Sequence, residues 1–405
     1  MNTPKNIRIT DYDYPLSDNK IAFFPKEQRD TSKLLVYHRA QKKITDSTFD
    51  QLPHFLESNT LLIFNDSKVI HARLLVHNAT GAAIEIFCLE PLSPSTELSQ
   101  ALTQYHHVTW KCFVGNAKKW KAPISIPITI GEHTFSIIAT KGQQIENAFE
   151  VEFSWEANVT FAEWIEAYGK IPLPPYIKRT AEKADEERYQ TVYAHYDGSV
   201  AAPTAGLHFS KTLLQNIQQK NIICDYITLH VGAGTFKPVK TETIGEHYMH
   251  NEQIVIRKEL IQKLIQNSDK KIIAVGTTVT RSLESIFIIG SKLLHHLPNP
   301  LHVNQWEYYE NESIASTAVM DALHALLQYF DEQGIDIITA TTQLMIVPSY
   351  QFKLIKGIIT NFHQPKSTLL LLISAFLGND WRDIYTHALS QNYRFLSYGD
   401  ANLYL

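Results

Sequence analysis

Ile84-Glu-Ile-Phe-Cys-Leu89, Val108-Thr-Trp-Lys-Cys-Phe-Val114, Ile124-Ser-Ile-Pro-Ile-Thr-Ile130, Phe135-Ser-Ile-Ile138 and Phe149-Glu-Val-Glu-Phe153 alternate in hydrophobicity with a period of two. Successive side chains of a strand point to opposite faces, so each run buries one face and wets the other. Turn-rich gaps separate the runs, and several short strands in a row make a small β-barrel or sandwich. The pattern occupies residues 68–153.

Outward from it, apolar strands alternate with helices. Leu34-Leu-Val-Tyr37 and Leu61-Leu-Ile-Phe64 precede the β stretch. After it, Thr160-Phe-Ala-Glu163 is a capping box, and Gly169 is placed to end the helix. Strands at 222–231, 271–275 and 358–360 alternate with helices at 258–266, from Thr277, at 317–330, and from Ser367 to Gly378. A further helix is expected from Asp185 through Tyr193, and an edge strand and turn at 393–401. Alternating strands and helices predict an α/β main domain, residues 1–67 and 154–405, interrupted by the β insertion.

A chain of 405 residues accommodates that division. Its 44% hydrophobic and 19% charged content is that of a soluble protein with a sizeable core. A net charge of -4 excludes a uniformly basic coat and leaves room for a local basic patch. Cys88, Cys112 and Cys224 are far apart in sequence, lack metal-ligand spacing and suit a reducing compartment. The polar start and the short apolar run 369–376 give no signal peptide and no span, so a cytoplasmic location is expected.

The candidate chemistry lies in polar loops after strands, where open α/β sheets bind ligands. Asp197-Gly-Ser-Val-Ala-Ala-Pro-Thr-Ala-Gly-Leu-His-Phe209 is rich in small residues. Gly198 and Gly206 permit unusual backbone angles, while Ser199, Thr204 and His208 offer polar groups; a tight structural loop is the alternative. His230-Val-Gly-Ala-Gly-Thr-Phe236 forms a second such junction, with Gly232 and Gly234 allowing close approach of a nucleoside. Gly276-Thr-Thr-Val-Thr-Arg281 opens a helix, where hydroxyls and free amides suit an anion. Thr360-Asn-Phe-His-Gln-Pro-Lys-Ser-Thr368 brings Asn361, His363 and Lys366. Asp66 follows the strand at 61–64 as ligand or turn residue. The proline-stiffened 171–177 segment presents Tyr176, Lys178 and Arg179, as a preorganised edge or as a linker.

Taken together, these loops, Phe64-Asn-Asp-Ser-Lys-Val-Ile-His-Ala-Arg-Leu74, Pro172–Arg179 and Tyr398-Gly-Asp-Ala401 resemble the S-adenosylmethionine:tRNA ribosyltransferase-isomerases of queuosine biosynthesis. The resemblance implies an α/β/α layered, discontinuous main domain with an inserted small antiparallel β-barrel. It implies transfer and isomerisation of the ribosyl group of S-adenosylmethionine onto 7-aminomethyl-7-deazaguanine at the tRNA wobble position. Epoxyqueuosine-tRNA forms, with release of adenine and methionine. Neither metal nor second cofactor is implied, because S-adenosylmethionine is consumed as a substrate; a monomer is expected.

On that resemblance, His208, His230 and His363 are candidates for the proton transfers, while Asp66, Asn361 and Asp400 orient them or hold ribose hydroxyls. Ser199, Thr204, Gly206, Gly232, Gly234, Thr277 and Thr278 are candidate substrate contacts, with Arg281 on the methionine carboxylate. Lys178, Arg179 and Lys366 are candidates for tRNA phosphates, and Tyr176 or Phe362 for stacking on a flipped base. Departures from the family pattern fall at 339–352, which lacks expected glycines and has Ser349 at a Pro-Gly turn; at the stretch from Gly290, which is longer; and at Lys68 and His71. A diverged paralogue with another acceptor, a silent RNA- or nucleoside-binding module and a methyltransferase are the alternatives.

Overall fold

The computed structural model describes residues 4–232 and 239–405. Among these, ten strands form one mixed sheet. Its spatial order is His302–Val303, Ile337–Thr342, Glu252–Arg257, Ile223–His230, Thr60–Asn65, Lys271–Val275, Gly357–Asn361, Ala401–Tyr404, Lys33–His38 and Lys43–Thr48. The four strands from Ile223–His230 to Gly357–Asn361 run parallel. Parallel strands covered on both faces need apolar residues throughout, and every residue of Thr60–Asn65 and Gly357–Asn361 is buried.

Alternation along one strand shows the layers. Leu61 and Ile63 pack with Val279, Leu283 and Ile261 on one face of the sheet. Leu62 and Phe64 pack with Leu213, Ile217 and Phe49 on the other. The helices Lys258–Gln266, Thr277–Leu294 and Val319–Gln333 cover the first face, and Lys211–Gln219 covers the second. This is the expected α/β/α arrangement.

The other large sheet has six antiparallel strands in the order Arg73–His77, Ala83–Ser93, His107–Gly115, Ala148–Ser154, His133–Ile145 and Ile124–Ile130. Its first and last strands approach each other, so it curls into a nearly closed barrel. Inward residues such as Leu74, Ile86 and Val108 share a core with Phe161 and Trp164 of the helix Phe161–Tyr168. The Thr160 capping box forms as expected: its amide donates to Glu163 Oε2 at 2.7 Å, and its hydroxyl accepts from the Glu163 amide. Cys88 and Cys112, remote in sequence, face each other on neighbouring strands with sulfurs 3.8 Å apart.

Four local expectations need correction. The expected edge strand at 393–401 is a turn with an isolated Ile21–Phe395 bridge, and the strand that follows it, Ala401–Tyr404, is interior, paired on both sides and wholly buried. Only Lys183–Arg188 is helical in the 185–193 region. The Thr277 helix runs past Gly290, where the longer stretch begins, to Leu294 and is buried through Lys292. The loop beginning at Asp197 contains part of a strand, Tyr196–Ser199, paired with Ser67–Val69.

Candidate active site

The carboxyl ends of the four parallel strands bring the predicted loops together. A small cavity of about 70 Å³ is lined by Thr204, Thr277, Thr278, Asn361, His363 and Tyr176, among others. Its polar groups are largely paired already. Thr204 Oγ1 donates to Asn361 Oδ1 at 2.9 Å, and Asn361 Nδ2 faces His208 Nε2 at 3.0 Å. His363 Nε2 lies 2.9 Å from Thr360 Oγ1. Thr278 Oγ1, at the amino end of the Thr277–Leu294 helix, is buried without a hydrogen-bond partner among the described residues.

A second cavity of about 410 Å³ lies between the barrel and the main sheet, and Val231 lines both cavities. Glu90, Lys111 and Phe113 come from the barrel; Gly198, His230, Gly232, His250, Asn251 and Gln253 come from the main sheet and its loops. Gln253 ties the two walls, donating to the Thr96 carbonyl at 2.7 Å and accepting from the Leu98 amide at 3.3 Å. This volume lies within the range of small-molecule sites; the small cavity holds only a fragment.

His230 is the chemically free group here. Its Nδ1 is buried with no hydrogen-bond partner among the described residues. Burial lowers its pKa to about 4, with Asp197 acting in the opposite sense. The ring leans on Gly198, whose φ of 142° and close contact exclude a side chain: a Cβ would lie 2.7 Å from Nδ1. The other two imidazoles are held differently. Burial lowers His363 to about 3. Burial and then the Arg394 charge lower His208 to about 3, and its Nε2 is engaged by Asn361. All three are neutral near pH 7, but only His230 presents an unengaged nitrogen in the large cavity.

Several candidates sit elsewhere. Arg281 is 5% exposed and closed on Glu252 at 2.6 Å, so it is occupied where a carboxylate contact was expected. Asp66 accepts from Thr228 at 2.6 Å and Arg257 at 3.1 Å, while burial raises its pKa; it lines neither cavity. Asp400 accepts from the Lys33 and Arg394 amides at 3.0 and 2.7 Å, a structural cap. Ser199 bridges strands, donating to Ser67 and accepting from the Val231 amide. Gly206 has no positive φ; a side chain there would meet the Tyr193 hydroxyl, so close packing explains it.

Phe362 is fully buried against Tyr385, Tyr393 and Phe395, which makes it a core ring rather than a stacking platform. Arg179 forms a bidentate pair with Asp185, whereas Lys178 and Lys366 make exposed pairs with Asp18 and Asp13. Gly234 lies outside the described residues. The barrel's share of the large cavity was not visible in sequence, because Glu90 and Lys111 belong to ordinary alternating strands and only the docking of the barrel turns them toward His230.

The divergent positions have defined local geometry. Ser349 follows Pro348 with φ of 92°, and the Tyr350 amide donates to the Val347 carbonyl at 2.9 Å. That is a type II turn in which serine occupies the position glycine favours. Next to it, the buried Glu284 carboxylate accepts from Tyr350 and from the amides of Lys353, Leu354 and Ile355. Lys68 pairs with Asp197 and His71 with the Glu166 carbonyl; neither lines either of these two cavities.

The chain matches the model of the queuosine biosynthesis protein family over residues 9–404. An S-adenosylmethionine:tRNA ribosyltransferase-isomerase of Azoarcus sp. (strain BH72) is 35% identical over 400 residues, covering 98% of this chain and 97% of that relative. One from Thermotoga maritima is 35% identical over 402 residues, covering 98% of this chain and all of the relative (100%). The crystal structure of S-adenosylmethionine tRNA ribosyltransferase from Thermotoga maritima is 27% identical. It covers 97% of this chain and 99% of that one, with a TM-score of 0.47.

Proposed function

The chain belongs to the queuosine biosynthesis protein family and is a transferase-isomerase, and we propose how its two cavities divide the reaction. The donor is S-adenosylmethionine and the acceptor a tRNA, read here as carrying 7-aminomethyl-7-deazaguanine at the wobble position. The ribosyl group moves to that base and is isomerised, giving epoxyqueuosine-tRNA, adenine and methionine. The observation that carries this reading is the meeting of five separate family-like stretches around two cavities that share Val231.

In this reading the amino-acid end of the donor enters the small cavity. The helix amino terminus at Thr277, with the unpartnered Thr278 hydroxyl, offers donors for its carboxylate. The large cavity then holds the ribosyl group and the incoming base. The sulfonium acidifies the hydrogens on the neighbouring 5′-carbon, departing adenine needs a proton, and the acceptor amine must lose one before it attacks. His230 is the neutral group with a free lone pair or proton at the place where those transfers occur. The reading takes the protein as a cytoplasmic monomer without a metal or second cofactor.

The test is mass spectrometry of purified protein incubated with S-adenosylmethionine and an anticodon stem-loop bearing 7-aminomethyl-7-deazaguanine. Free adenine and methionine together with epoxyqueuosine in the RNA are expected. Adenosylhomocysteine in place of methionine, or donor binding with unchanged RNA, would reject the proposed reaction.

A further inference from the structure

An arginine-lined notch shares Ser397 with the small cavity and is bounded by Lys26, Arg29, Arg188, His208 and Tyr398. Its volume of about 20 Å³ admits one water-sized oxygen. A third guanidinium adjoins it, since Arg29 and Arg394 both act electrostatically on His208. Like charges are crowded together: burial and the charge of Arg188 lower the pKa of Arg29. Carboxylates stand near them as well: Asp400 lies 3.7 Å from Arg394, Glu187 acts on Arg29, Asp30 accepts from Ser210, and Asp185 accepts from Tyr398 but is paired with Arg179.

Pinning of the rim explains part of this arrangement. Arg29 donates to the Leu207 and Glu187 carbonyls, Arg188 to those of Glu27 and Lys26, and Arg394 to that of Phe24. These bonds hold the 23–29 segment, yet among the described residues Arg188 Nε and Arg394 Nη2 remain buried without a hydrogen-bond partner, and Arg394 Nε has only Asp400 at 3.7 Å. Crowded guanidiniums with unused donors fit an oxyanion, which would both neutralise and satisfy them. Beside them Phe24 is 54% exposed, and its ring lies against the Arg179 guanidinium at 4.3 Å. An exposed aromatic beside a cationic notch is the pairing that single-stranded RNA uses, backbone on charge and base on ring.

We propose that the notch takes a phosphate oxygen of the tRNA anticodon loop, with Phe24 as the stacking platform for an adjoining base. Ser397, common to notch and small cavity and hydrogen-bonded to Tyr176 at 2.6 Å, puts this contact next to the reacting nucleotide. The inference rests on the tRNA reading above, but its test requires no turnover. RNA held through the notch without adenine release would reject the function and leave the notch standing.

The experiment is fluorescence anisotropy of a labelled anticodon stem-loop over a range of salt concentrations. Lys26→Gln and Arg188→Gln are each expected to flatten the log–log salt dependence by about 0.7, the loss of one single-strand phosphate contact. Arg188→Lys should restore most of that slope. Phe24→Ala should weaken binding about tenfold without changing the slope. Lys26 is exposed and its side chain carries none of the pinning bonds, so Lys26→Gln tests the notch even if Arg188→Gln fails to fold. An unchanged slope in folded Gln variants overturns the proposal. So does a raised KM for S-adenosylmethionine with the RNA slope intact.

Discussion

The two cavities that meet at Val231 are built on opposite plans. In the small one, Thr204, Asn361 and His208 form a hydrogen-bonded chain, and His363 rests on Thr360. In the large one, His230 keeps a buried nitrogen unpaired among the described residues, and the walls come from two different sheets. A satisfied buried network is rigid and costly to disturb; an unsatisfied group costs stability until a ligand completes it. On the proposed reading the contrast separates positioning from chemistry: the small cavity would orient the donor, and the large one would supply the group that moves a proton.

The largest effect that sharpens this contrast is acid sensitivity. Burial holds His363 at about 3 against an ordinary 6.5, so below pH 6.5 the unfolded chain binds a proton that the folded chain refuses. Stability is therefore expected to fall as pH drops from 6.5 toward 3, and to be insensitive to this group above 6.5. The upper bound is roughly 5 kcal/mol at about 1.4 kcal/mol per unit. The buried Asp66 and Glu284 carboxyls are raised and act with the opposite sign. Comparing urea melts of wild type and His363→Gln across this range isolates the imidazole, and the variant should lose stability less steeply.

Next in size is His230→Ala, expected to slow adenine release about a hundredfold or more while leaving donor binding near wild type. Stopped-time adenine assays and donor titration separate the two; equal losses in both would erase the distinction between the cavities. Asn361→Ala breaks the chain on the sealed side and should cost about 1–3 kcal/mol of stability in chemical denaturation. The smallest change is expected from Gly232→Ala. No atom of the described residues lies within 4 Å of the added Cβ, so stability should stay within about 0.5 kcal/mol, as read from a thermal melt.

Much of this was legible in the chain. Alternation at 84–153 gave a β insertion, and the helix starts read at Thr160 and Ser367 are both present in the structure. Those signals are local: period, cap and turn chemistry act over a few residues. The loop motifs likewise identified Thr204, Thr277, Thr278, Asn361 and His363, which do line one cavity.

Partnership was not legible. Arg281 and Asp66 look like ligand residues until Glu252 and Arg257, remote in sequence or on another strand, are seen to occupy them. Phe362 looks like a platform until three aromatic neighbours close around it. Sequence by itself determined which residues stand at the strand ends, because backbone periodicity and capping are set by near neighbours. Only the tertiary structure decided which of them are already spent on one another and which, like His230, are left free. Pairing between buried polar groups depends on distances that packing of the whole chain alone establishes.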